Sequence, residues 1–417
     1  MADTRESLGP SDDEATVSFL CDLVRALHVS YQAASLVEGR VKQVARAWGL
    51  QVELFSLQSV AILEVMSGLG RRVVELDRLP FNPHWNLTRA SAVLGLCDDI
   101  AAGRKRVPEA RTDLDRIMAS PPVHPAWLVY LAYGVYGAAV AVRVGGSWLE
   151  LAVAFVVGVL AGAIHFGTLR SQQLDLQKSF LGAFLGTLVA LGLACVLPPF
   201  DAARALFGGI TLLVPAMVVT LGSLELVTES VEAGTPRLLY GLLRFVMMGV
   251  GIAAAGTAWS LVAPLPLYSS AHALPHPLSL AIVAVGGLAL AVCMSARARD
   301  VVPIVAAVLL AYGTQELTKA VLGDRGSPLV SAFVLGVAGL WFGRRSGFMP
   351  NTVIMPGLLQ IAPGFMGTQA ILALLGVGAN SDARLFNVLL VALQIVMGLV
   401  FAALLARPPV RAVEPDP

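Results

Sequence analysis

From Pro125 to Ala406 the chain runs through one apolar stretch after another, each of about 20 residues, separated by short polar connections. Wound as a helix rising about 1.5 Å per residue, such a stretch covers the roughly 30 Å hydrocarbon core of a bilayer. Inside hydrocarbon a backbone must satisfy its own polar groups, so a helix is the natural state for each stretch. Ten spans are predicted, at 125–143, 149–169, 179–198, 203–222, 237–263, 277–296, 301–321, 327–343, 350–376 and 383–406. Composition agrees, since 56% of the 417 residues are hydrophobic and 14% charged, against about 25% charged in soluble domains.

The charge that exists is concentrated. Residues 1–124 hold 14 of the 29 Lys and Arg and 16 of the 28 Asp and Glu. The expected division is therefore a disordered acidic lead (1–15), a soluble N-terminal α/β domain (16–124), a first five-span half (125–263), a second five-span half (277–406) and a tail (407–417). In the head, "ATVSFLCDLVRALHVS" and "YQAASLVEGRVKQVARAWGL" place apolar residues at the three-and-four spacing of amphipathic helices, the second closed by Gly49. The runs "QVELFSL", "SVAILEVM" and "RRVVELDRL" read as a small antiparallel meander. Asn86 is positioned to cap a helix, and a further helix is expected from Val107 to Met118 with Pro108 in its first turn.

Several classes are excluded by the same reading. A net charge of +1 without a basic run interleaved with aromatics does not suit nucleic acid. Cys21, Cys97, Cys195 and Cys293 stand far apart with no C-x-x-C spacing, so neither a disulfide framework nor a metal site is expected, and no motif calls for a cofactor. The opening residues are polar and acidic, unlike a secretory leader, which leaves the head in the cytoplasm. With the head inside, the inner connections carry Arg170, Lys178, Arg237, Arg297, Arg299, Arg344, Arg345, Arg407 and Arg411, and the outer ones Arg143, Arg204, Arg325 and Arg384. That excess inside favours a multi-pass protein of the inner (plasma) membrane with both termini cytoplasmic.

Two segments repeat. "LLVPAMVVTLGSLELV" (212–227) lies over "QIAPGFMGTQAILALL" (360–375) with Pro215 on Pro363, Thr220 on Thr368 and Leu224 on Leu372. Arg237-Leu238 and Arg384-Leu385 then open the last span of each half. Five spans per half is an odd number, so the second copy enters the membrane upside down, a construction used by secondary transporters. Proline lacks the N–H and clashes with the carbonyl four residues earlier, so each segment is expected to break its helix. A half-helix N-terminus bared there suits a carboxylate. Pro215, Thr220, Pro363, Gly364, Thr368 and Gln369 are the candidate substrate-binding residues.

The head and body together resemble the threonine/serine exporter family. The resemblance rests on "AASLVEGRVKQVARAWGL", "HWNLTRASAVLGLCDDIAAGRKRVPEA", "LLVPAMVVTLGSLELVTESVEAGTPRLL" and "MPGLLQIAPGFMGTQAI", in that order. It implies a polar N-terminal domain fused to ten spans, and proton-driven antiport of small hydroxy amino acids. The first half departs from the family's usual Pro-Gly, carrying Pro215-Ala216. Partners implied are the amino acid, protons and the bilayer, with an oligomer left open.

Ionisable groups at membrane depth are costly, by roughly 2.5 to 3.5 kcal/mol on insertion scales, and mark function or a partner. Glu225 and Glu229, one turn apart, and Glu316 are the proton-coupling candidates. The plainer readings are a solvated cytoplasmic face for the first two and a pair with Lys319 for the third. His165 is read as bonded to a neighbouring helix, and Arg244 as snorkelling inward or bridging Glu225 or Glu229. The rival to export is a membrane-anchored hydrolase with a catalytic head, drawing on Asp98, Asp99, Glu109, Asp113 and Asp115. Those acids are interspersed with Arg104, Lys105, Arg106 and Arg111 in the manner of a solvated face, and no spacing ties Ser56, Ser59 and His84 together.

Overall fold

The computed structural model of the chain describes residues 10–30, 32–67, 70–77, 79, 86–168, 172–227, 230–265, 273–346, 351–361 and 381–406. The chain divides into two units, the first made of residues 1–123, 224–237 and 294–296, the second of the remainder.

In the first unit, helices α1 (Pro10–Val29) and α2 (Ala34–Ala47) precede strands β1 (Gln51–Ser56), β2 (Ala61–Ser67) and β3 (Gly70–Leu76), followed by α3 (Leu87–Ala101) and α4 (Val107–Met118). The sheet is antiparallel in the order β1-β2-β3, with Val52 opposite Val65, Leu54 opposite Leu63 and Ser56 opposite Ala61. Those six residues are all buried while Gln51, Glu53 and Phe55 face out. The period of two puts one apolar face inward. Against it α1 buries Phe19, Leu20, Leu23, Val24 and Leu27, and α2 buries Val37, Val41 and Val44, each a single helical stripe.

The local signals act where they stand. The Asn86 side chain accepts from Arg89 N at 2.9 Å to start α3. α4 opens with Pro108 in its first turn and Arg106 N donating to Glu109 Oε2. α2 ends as Gly49 N donates to Arg46 O and Leu50 N to Ala45 O, with Gly49 at φ +79°. Two orphan carbonyls are thereby satisfied through a left-handed residue that favours glycine. The segment 294–296 joins this unit by short bonds, Leu87 N to Met294 O at 2.8 Å and Thr88 Oγ1 to Ser295 O at 2.7 Å.

The second unit is helical. It contains α5 (Ala126–Arg143), α6 (Trp148–Thr168), α7 (Gln172–Val196), α8 (Ala202–Ile210), most of α9 (Ala216–Val227) and of α10 (Val231–Ser260), α11 (His276–Cys293), α12 (Ala298–Ser346), α13 (Asn351–Ile361) and α14 (Ser381–Ala406). α12 is two rods meeting at Gly323, whose φ of +71° and ψ of 178° no helix contains. Among the described residues seven helices are long and apolar enough to cross a membrane, and an eighth span arises if the bent pair α8 and α9 is counted as one. These fall on the first eight predicted spans. The ninth lies partly outside the described residues, and α14 covers the tenth. Side chains such as Leu239, Leu261, Val302 and Leu405 are mostly exposed, which suits lipid rather than water as the surrounding medium.

The core of this unit is built where glycines remove side chains from between helices. A Cβ on Gly158 of α6 would meet Tyr133 O at 2.7 Å, one on Gly137 of α5 would meet Gly209 Cα at 3.0 Å, and one on Gly208 of α8 would meet Gly137 O at 2.6 Å. Three helices thus touch backbone to backbone beside the bend, a close approach that only small residues permit.

Candidate functional site

The bend follows from the sequence around Pro215. α8 closes at Ile210, a single 3-10 turn occupies Thr211–Leu213, and Val214 is extended at φ −67°, ψ 128°. A residue preceding proline is pushed out of the helical region, and proline has no N–H with which to continue one. The chain restarts as α9, with Val219 N donating to Pro215 O, at 57° to the preceding helix. The first N–H groups of α9 have no helical acceptor behind them. Ala216, Met217 and Val218, which carry them, are buried. An interrupted span with a buried half-helix N-terminus is therefore present at Pro215.

The other candidate positions are distributed as follows. Thr220 is buried and its hydroxyl donates to Ala216 O at 3.0 Å, inside its own helix. Pro363, Gly364, Thr368, Gln369 and Glu229 lie outside the described residues. The described part of α13 runs to Ile361. Glu316 pairs with Lys319 at 3.0 Å on one helix face.

Glu225 does not sit on a solvated face. It is fully buried within the first unit, where Oε1 accepts from Ala34 N at 3.0 Å and Oε2 lies 3.0 Å from Arg237 Nε. Ala34 opens α2, and the preceding Ala33 has no side chain able to cap it. The carboxylate supplies that cap, favoured by the positive end of the helix dipole. Arg237 also donates to Gln58 Oε1 at 2.7 Å.

Within the second unit, Arg244 is 2% exposed, so it does not snorkel to water; its Nε donates to Ser179 Oγ at 2.9 Å and its guanidinium stands over the Tyr240 ring. His165 stacks on Tyr133 and meets Phe166 edge-on. Glu150, which sequence reasoning passed over, is fully buried and accepts from Ser147 N, Ser147 Oγ and Asp201 N. Its signal was the S-x-x-E spacing of a capping box. Arg143, counted in the sequence only as an outer charge, donates through Nη1 to Gln315 Oε1 at 3.3 Å and to Gln360 O.

In the head, three of the five acids proposed for chemistry, Asp98, Asp99 and Asp113, are matched by cations. Arg104 reaches Asp99 at 2.6 Å, Arg116 reaches Asp113 at 2.7 Å, and Lys105 and Arg40 bond Asp113 and Asp98. The Lys105 contact holds the Asp113 carboxyl below its usual range. Ser56 does meet a histidine, but it is His28, at 3.2 Å; His84 lies outside the described residues. His28 Nδ1 also bonds Val24 O, and its Nε2 is 3.3 Å from Leu57 O. Burial pushes the imidazole below its ordinary range, and the nearby Arg237 charge adds to this.

Spans with lipid-suited faces, one interrupted at a buried proline, joined to a small α/β region define the class: a mostly helical, multi-span membrane protein. Residues 18–259, more than half of the chain, match the family described as "Putative threonine/serine exporter". The chain belongs to that threonine/serine exporter family. Among curated relatives it is 24% identical over 249 residues to an uncharacterised protein of Schizosaccharomyces pombe, covering 58% of this chain and 33% of that one. It is 22% identical over 316 residues to pheromone-regulated membrane protein 10 of Eremothecium gossypii (72% of this chain, 42% of the relative). The protein of the same name in Saccharomyces cerevisiae is 28% identical over 155 residues (34% and 38%). The matches thus span well under two thirds of these relatives' own length. No solved structure matches.

Proposed function

We propose that the protein exports small hydroxy amino acids, threonine and serine, from the cytoplasm by proton antiport and alternating access, and is a transporter rather than an enzyme. The observation that carries this is family membership joined to a span broken at a buried proline. Such breaks occur where ligands are held at membrane depth, since freed backbone groups need protein, water or cargo.

The arrangement of helices supports two inverted five-span halves. Helices begin at Ala126 and His276, and at Trp148 and Ala298. Each pair is separated by 150 residues. Polar residues follow the same spacing, Glu150 with Asp300 and Arg244 with Gln394. On this reading there are ten spans. Pro215 and Thr220, with Pro363, Gly364, Thr368 and Gln369, line the cargo site. Glu225, Glu229 and Glu316 are the carboxylates from which the proton carrier is drawn, and both termini face the cytoplasm of a plasma-membrane protein. The relatives named as membrane proteins fit that location.

Reconstituted vesicles loaded with labelled threonine test the proposal. Efflux accelerated by an opposing pH gradient and abolished by an uncoupler is expected; efflux no faster than from empty vesicles overturns it.

A further inference from the structure

Arg143 closes α5 with a guanidinium that its surroundings leave half used. Both of its bonds leave from Nη1, to the Gln315 side chain and to the Gln360 carbonyl. Nε is buried and has no hydrogen-bond partner among the described residues. Glu316, Tyr136 and Tyr312 lie within its electrostatic reach, yet Glu316 is paired with Lys319. A part-buried cation whose neighbouring carboxylate is already paired is left under-satisfied, and the Nε–Nη2 edge is the one that takes a carboxylate side-on through two parallel bonds.

One further observation narrows what belongs there. Packing does not demand a cation here. The residue 150 positions later, Cys293, ends α11 in a cluster with Leu213 and Phe166, so the corresponding corner is apolar.

We infer that Arg143 is the anchor for the cargo's carboxylate, gripping it through the Nε–Nη2 edge while Gln315 and the Gln360 carbonyl hold Nη1 in place. The inference rests on the export reading and names the group that recognises the acid end of the substrate. Tyr136 of α5 and Tyr312, one turn before Gln315, lie within electrostatic reach of the anchor.

The test is binding of labelled threonine to the full chain in nanodiscs, with threonine and threoninamide as competitors. The unmodified protein is expected to prefer the acid by about ten- to hundredfold, the worth of a charged hydrogen-bonded pair. Arg143→Gln is expected to lower threonine affinity to that of threoninamide and leave the amide's own affinity unchanged. Arg143→Lys, which keeps the charge without the fork, is expected to fall between and serves if the glutamine variant does not fold. Acid-over-amide preference retained in both variants overturns the inference, as does an equal loss for acid and amide, which would make Arg143 a structural tie to α13 only. If the unmodified protein ignores threonine but still prefers other small acids to their amides through Arg143, the cargo reading fails and the anchor stands. No preference for any acid removes the anchor.

Discussion

Glu225 shows how a single carboxylate in a greasy helix acquires a structural task. It is fully buried, caps α2 through Ala34 N and faces Arg237. Removing one partner of a buried pair leaves the other charge stranded, at about 3 to 5 kcal/mol. Glu225→Leu is therefore expected to destabilise the head by that order, measured by hydrogen exchange of α2 amides in the full chain. Glu225→Gln, which still offers an oxygen to Ala34, should lose less; equal losses would mean the cap contributes nothing. The same residue explains what sequence conceals. Ala34 and Glu225 are 191 positions apart, and Arg143 is 172 and 217 positions from its two acceptors; no periodicity connects them, and only the fold brings them together. His28 adds a pH term. Its folded pKa lies below the unfolded value of about 6.5, so the unfolded chain binds the extra proton first. The head should hold its full His28 contribution above pH 6.5 and lose it progressively as pH falls below that value. Hydrogen exchange of α1 and β1 between pH 7.5 and 5.5 should show protection falling on acidification, and His28→Gln should flatten the slope.

Helices that begin or end on a local signal were legible, because the signal and its effect share one turn. Asn86, Pro108, Gly49 and Pro215 each sit at the boundary their chemistry dictates. The spans were legible for a related reason, since hydrocarbon demands a long apolar run wherever a helix crosses it. What the runs do not reveal is which faces meet. Glycines such as Gly167 and Gly208 look alike in sequence, yet a Cβ on Gly167 would meet nothing within 4 Å while one on Gly208 would strike Gly137 O at 2.6 Å and Ala141 Cβ at 2.7 Å. Backbone cannot move aside as a side-chain tip can, and overpacking of this kind costs about 1 to 3 kcal/mol or more. Gly208→Val is expected to wedge α8 from α5 and lower the midpoint of thermal unfolding in detergent, whereas Gly167→Ala should leave it unchanged or slightly raised. Equal midpoints for the two variants would mean that the glycine contact does not hold the bend.

The spacing of 150 residues between Ala126 and His276, and between Trp148 and Ala298, makes a claim about the entire chain that its own cysteines can test. Three crossings, by α5, α6 and α7, separate the head from Cys195, which is exposed at the end of α7. With the head in the cytoplasm, Cys195 faces outward. Its counterpart 150 positions later is Arg345, exposed at the end of the rod Gly326–Arg345. Five crossings intervene, and an odd number turns the second copy over, so Arg345 faces inward. Cys21 and Cys97 are buried in the head, and burial pushes the Cys97 thiol up to about 12, far from the reactive thiolate. Cys293 packs with Phe166 and Leu213. A membrane-impermeant maleimide applied to intact cells should therefore label the unmodified protein chiefly at Cys195, and Cys195→Ser should remove most of that signal. Adding Arg345→Cys to the serine variant should restore labelling only after the cells are opened. Labelling of both positions from the same side would show that the two halves run parallel, and alternating access about inverted repeats would then have no basis in this chain.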